Sequence, residues 1–239
     1  YPHLAGVIPG FGRQVQKFEQ WIEAHIPNPD GKDITYDFAV YSIVKFFQLC
    51  MENNPNMIDS LFVPRRCILH STHIGEHVRT NRKLFLHKGA WHKFKGYAYS
   101  QMSRINNKVN SSNPARAANI EKFGYDVKFA YHVVRLLNEV EQIMVEGDLD
   151  LERNREQLKS IRRGEWTLEQ IKKYFVEKES ALENTYANST LQHSPDEEAI
   201  KKILLECLEM AYGSMQKVKT QNANTELLQD LKSLISRYS

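Results

Sequence analysis

YDVKFAYHVVRLLNEVEQIMVE, residues 125–146, repeats its apolar residues with a helical period rather than an alternating one. Ala130, Val133, Val134, Leu137 and Met144 fall on one face of the helix this predicts, a face that other elements must cover. Lys128, Tyr131, His132 and Arg135 fall on the opposite stripe, at steps of three and four residues. A stripe that meets only water is usually Lys, Glu and Gln. This one mixes two cations with a phenol and an imidazole, donors and stacking surfaces suited to phosphate and to a base. A functional site and a plain polar face both remain open readings of the stripe.

Downstream, helices are predicted near 152–162, 167–188, 195–213 and 224–237, and upstream near 73–84 and 87–107. Thr167 and Gln170 are spaced as a capping box. Ser194-Pro195-Asp196-Glu197 carries a cap, a first-turn proline and first-turn acids. NNKVNSSNPA, from Asn106, reads as a polar linker. Before residue 73 the pattern is mixed. QKFEQWIEAHI and KDITYDFAV flank the turn-rich PNPDGK and read as a hairpin, Lys17–Ile26 with Asp33–Val40. YSIVKFFQLCMENN is helical and ends at Asn53-Asn54-Pro55. NMIDSLF reads as a short helix and RRCILH as one more strand. The expected class is therefore α+β, with a small β-containing module over 1–72 followed by a mostly helical module over 73–239.

The chain of 239 residues is 41% hydrophobic, enough for a buried core in one large domain or two small ones. A formal charge of +3 is too small to argue for nucleic acid without a local concentration of cations. Such a concentration exists in mid-chain, in Arg116, Lys122, Lys128, Arg135, Arg162 and Arg163. Three widely spaced cysteines, Cys50, Cys67 and Cys207, lack a CxxC and predict a reducing, cytoplasmic compartment. No apolar run approaches the roughly 18 residues of a membrane span, so no membrane association is expected.

Four further constellations carry chemistry. His73-Ile74-Gly75-Glu76-His77 fits HxxEH, and His73 and His77 one helical turn apart suit Zn²⁺, with Glu139 as a distant third ligand. A zinc hydrolase is one reading and an ordinary polar helix face is the other. In the helix near 87–107, Trp91, Phe94, Ala98 and Ile105 share one face. Lys93, Tyr97, Ser100 and Arg104 share another, beside Gly96, where close approach of a neighbour is expected. SIRRGEW places Arg162 and Arg163 before a helix-ending Gly164, either to grip phosphate or to complement the helix C-terminus. Asp33 and Asp37 in the hairpin are candidate Mg²⁺ ligands.

KDITYDFAVYSIVKFFQLCMENNPNMIDSLF, FKGYAYSQMSRI, NPARAANIEKFGYDVKFAYHVVRLL and SIRRGEWTLEQI occur in this order. Together they resemble the predicted nucleotidyltransferases of the DNA polymerase β superfamily, in the bacterial and phage group called the RNA repair pathway DNA polymerase β family. The resemblance covers about residues 1–180. It implies a mixed-sheet core, and Mg²⁺-dependent transfer of a nucleotide from an NTP to an acceptor hydroxyl, with an RNA end among the candidate acceptors. It assigns metal to Asp33, with Asp37 as fallback, and catalysis to Asp33. Lys93, Ser100, Lys128, Tyr131, His132 and Arg135 would bind the nucleotide, and Arg162 and Arg163 the acceptor.

The superfamily pattern also needs a Gly-Ser turn and an Asp-x-Asp ahead of the third Asp. HLAG resembles its first strand and VIP its far end, yet nothing lies between Gly6 and Val7. In one account the natural protein carries a loop there that this sequence omits. Alternatively, Tyr1-Pro2-His3 stands in the Asp-x-Asp place, or the deletion is genuine. The last two accounts imply an inactive nucleotide- or RNA-binding pseudoenzyme.

Overall fold

The computed structural model describes residues 18–26, 34–106 and 114–214. Two compact units form, residues 1–49 with 198–239, and residues 50–197. In the first unit, β1 (Phe18–Ile26) and β2 (Ile34–Tyr41) pair antiparallel, Phe18 opposite Tyr41 and Ile26 opposite Ile34. Helix α1 (Ile43–Met51) follows. The left-handed Asn53 (φ 50°) then turns the chain, and Asn54 caps α2 (Pro55–Phe62), whose proline sits in the first turn.

The second unit continues with α3 (His73–Thr80), α4 (Ala90–Asn106), α5 (Pro114–Phe123), α6 (Val127–Glu146), α7 (Arg155–Arg162) and α8 (Leu168–Asn188). α9 (Glu197–Tyr212) belongs to the first unit. The expected mixed-sheet core is corrected here: the described residues are mostly helical, and strand is confined to one antiparallel hairpin. A mixed sheet needs a third strand and a parallel pairing. RRCILH, the segment expected to supply a strand, instead makes a 3₁₀ turn at Arg65–Cys67. It has one β-branched residue, its Leu69 is fully exposed, and its two arginines pair with Glu76 and Glu152. YPHLAG and VIP, and the predicted helix 224–237, lie outside the described residues.

α6 is the centre of the second unit, and α4, α7 and α8 pack on it. The residues expected on its apolar face, Ala130, Val133, Val134, Leu137 and Met144, are all buried. Burial also extends to Asn138, Glu139 and Gln142, because α6 is covered on several sides. From α4, Trp91, Phe94, Ala98 and Ile105 form one buried stripe. Gly96 is not a point of close approach, since a Cβ placed there would meet nothing. α5 occupies part of the expected linker region. Its weakly amphipathic PARAANIEKF gives little periodic signal.

Local chemistry sets the helix ends that shape the site. Asp126 caps α6, its carboxylate accepting from the backbone of Lys128 and Phe129. Thr167 and Gln170 complete the capping box of α8. SIRRGEW closes α7 with a Schellman turn: Glu165 N–H donates to Ser160 C=O and Gly164 N–H to Ile161 C=O. Gly164 takes the left-handed φ of 75° this needs. All three cysteines are free thiols, Cys50 and Cys207 buried and Cys67 exposed. Among the described residues no helix is long and apolar enough to cross a membrane.

Candidate functional site

Between α6 and α7 lies a pocket of about 220 Å³ lined by Tyr131, Leu151, Glu152, Arg155, Leu158, Lys159 and Arg162. Arg155, Lys159 and Arg162 are spaced i, i+4, i+7, so α7 turns one basic stripe towards Tyr131. The Arg162 guanidinium stands 5.6 Å from the centroid of the Tyr131 ring. The carboxylate of Glu152 is held by Arg66 and Lys159 reaches Glu156 at 3.0 Å. Among the described residues neither Arg155 nor Arg162 forms an ion pair within 4 Å, and Arg155 acts on Glu156 only at longer range. Two unpaired guanidinium groups beside an aromatic face are equipped for phosphate and for stacking.

One turn beyond Tyr131, Arg135 points elsewhere. It hydrogen-bonds Asp59 of α2 and lies 3.4 Å from Glu139. Arg135 and Asp59 are mostly buried and Glu139 is almost wholly so. Among the described residues, Asp59 Oδ1, Arg135 Nε and Glu139 Oε2 are sealed without hydrogen-bond partners. Burial raises the Glu139 carboxyl to about 8, the nearby Asp59 charge adds to this, and Arg135 opposes it. Burial raises Asp59 as well, again against Arg135. One guanidinium cannot neutralise two desolvated carboxylates, so the trio favours holding one proton.

The remaining predicted residues are scattered. His132 stacks edge-to-face on Tyr131 at 5.2 Å. Lys128 and Ser100 are exposed, and Lys93 lies 3.8 Å from Glu52. Arg163 pairs with Glu165 at 2.5 Å. Asp33 lies outside the described residues, and Asp37 stands opposite Ile22 in the hairpin register. In α3, Glu76 binds Arg65 at 2.5 Å, and among the described residues no three His, Cys, Asp or Glu side chains gather as a metal site. The Asp59–Glu139 pair does not suit Mg²⁺ either, since Arg135 already supplies its positive charge.

Arg155, Lys159, Asp59 and Glu139 complete these two clusters, and the sequence reading did not join them to Tyr131 or Arg135. For the basic stripe the signal was present: RxxxKxxR at helical spacing within RNREQLKSIRR. The adjacent Arg162-Arg163 pair drew attention instead, although neighbours on a helix diverge by about 100°. Asp59 carried no signal, because it meets Arg135 only through the packing of α2 on α6.

The second unit is thus a helical scaffold carrying a basic, aromatic-lined pocket and a buried ion cluster behind it. A model of the RNA repair pathway DNA polymerase beta family matches residues 26–231, and the chain belongs to that family. The match starts later than the resemblance read over 1–180 and extends well beyond its end. The family's name denotes a polymerase-β-like nucleotidyltransferase in RNA repair. No curated protein and no solved structure matches the chain.

Proposed function

We propose that this chain transfers a nucleotide from an NTP to the hydroxyl of an RNA end, and that the α6–α7 pocket holds phosphates of that RNA. The observation that supports this most is Arg162 resting on Tyr131 with Arg155 in the same pocket, neither cation in an ion pair within 4 Å among the described residues. On binding, the guanidinium groups take backbone phosphate and the freed Tyr131 face takes a base. His132 and Lys128, on the same helix, extend the contact towards the nucleotide. Mg²⁺, when bound, neutralises charge on the transferred phosphoryl group. Asp33 and Asp37 are its proposed ligands. Arg163 is kept from the acceptor by Glu165 and is left out of this site.

Fluorescence anisotropy with a labelled single-stranded RNA tests the pocket. The double variant Arg155→Gln, Arg162→Gln is expected to weaken binding about tenfold or more. It should also flatten the dependence of log K on log salt by about 1.4, the share of two phosphate contacts on a single strand. Unchanged affinity and slope would remove the pocket from the RNA path. RNA binding without incorporation from any NTP would support the pseudoenzyme instead.

A further inference from the structure

A second basic and aromatic cluster lies where the segment before α4 meets the segment after α8. Lys88 N–H donates to Gln192 C=O at 2.7 Å, which ties these segments together. The Lys88 residue is only 8% exposed, and no carboxylate among the described residues pairs with it. The ammonium is not among the sealed polar atoms, so the stem is buried while the head keeps access to solvent. The ammonium lies 5.7 Å from the centroid of the Tyr186 ring. Glu183, one turn earlier on α8, is held by Lys95 at 2.6 Å. The Tyr186 hydroxyl is 3.3 Å from His92 Nε2, and the His193 ring stands edge-to-face on Tyr186 with centroids 6.4 Å apart. His92 and His193 are exposed and Tyr186 half-buried, so the cluster opens to solvent on the imidazole side.

We infer that Lys88, His92, Tyr186 and His193 form a binding site for the terminal phosphomonoester of a nucleotide. A cation–π contact leaves an ammonium's hydrogen-bonding capacity unused. A phosphate oxygen fills it, and the imidazole N–H groups reach the same anion from the exposed side. The Tyr186 and His193 rings offer the attached base a stacking surface. Glu183 is held chiefly by Lys95, and His92 also acts on its charge. The site shares no residue with the α6–α7 pocket and stands whether or not that pocket binds RNA.

Titration calorimetry of the full chain with inorganic phosphate, adenosine 5′-monophosphate and a 5′-phosphorylated pentaribonucleotide tests it. At least one of the nucleotide probes is expected to bind more tightly than inorganic phosphate. Lys88→Gln should weaken that binding tenfold or more. Tyr186→Leu, which keeps Lys88, should bring the nucleotide down towards the affinity of inorganic phosphate and so covers a misfolded Lys88→Gln. Lys88-dependent binding of the monophosphate identifies a free nucleotide as a ligand, and Lys88-dependent binding of the oligonucleotide alone identifies an RNA 5′ end. Failure of all three probes to bind, or wild-type affinity in Lys88→Gln and Tyr186→Leu, would overturn the assignment.

Discussion

Arg135 shows how a side chain's neighbours redefine its role. On the helical stripe it stands with Lys128, Tyr131 and His132 as a phosphate donor, yet packing delivers it to Asp59 and Glu139. Replacing Arg135 by Ala would leave two buried carboxylates without a counter-ion, at a cost of about 3–5 kcal/mol. Loss of ligand binding in that variant therefore reports on folding, and Arg155 and Arg162 are the better probes. The trio also makes stability depend on pH. Because the folded Glu139 carboxyl is raised to about 8, its contribution is fully present below the unfolded carboxylate range. It is lost as pH rises through that value, since the unfolded chain ionises first. Urea denaturation at a series of pH values should show stability falling between about pH 5 and pH 8, by roughly 1 kcal/mol per unit at most. Glu139→Gln should flatten this fall, and an equal slope in the variant would show that Glu139 is not the titrating group.

Two glycines make opposite predictions at the scale of the helix. Gly96 lies inside α4 facing open space, so Gly96→Ala should stabilise by up to about 1 kcal/mol. Gly164 has a φ of 75°, and a Cβ there would fall within the ring of Phe123. Gly164→Ala should destabilise by about 2 kcal/mol or more and loosen the Schellman turn that positions Trp166. Trp166 links α7 to α8: its indole donates to Ser160 Oγ at 2.9 Å, its carbonyl accepts from Tyr125 at 2.6 Å, and its ring packs on Tyr174. Thermal unfolding of both variants checks the pair, and equal shifts of the same sign would contradict this account. These ends were legible beforehand because Gly164, Thr167-x-x-Gln170 and Asn54-Pro55 act through local backbone chemistry. The start of α9 was read two residues early, and α5 was missed because its polar sequence lacks a marked apolar stripe.

For the whole molecule, the long helices were legible from periodicity, and so was the burial of Ala130, Val133, Leu137, Trp91 and Phe94. The mixed sheet was not. That expectation came mainly from the family resemblance, and RRCILH, with one β-branched residue and two salt-bridged arginines, folds as a turn. The site was legible in halves. Tyr131 and Arg162 were each singled out, but assigned to different ligands, because the i, i+4, i+7 stripe of α7 faces α6 only in three dimensions. Asp59 meeting Arg135 across 76 residues of chain had no signal in one sequence. The central claim joins this pocket to nucleotide transfer onto RNA. Incorporation of label from an α-phosphate-labelled NTP into an RNA end, with Mg²⁺ present, tests it most directly. The account predicts incorporation by the wild-type protein. For Arg155→Gln, Arg162→Gln it predicts a KM for RNA raised about tenfold or more with the KM for NTP unchanged. No incorporation from any NTP, or an unchanged KM for RNA in the variant, would contradict it.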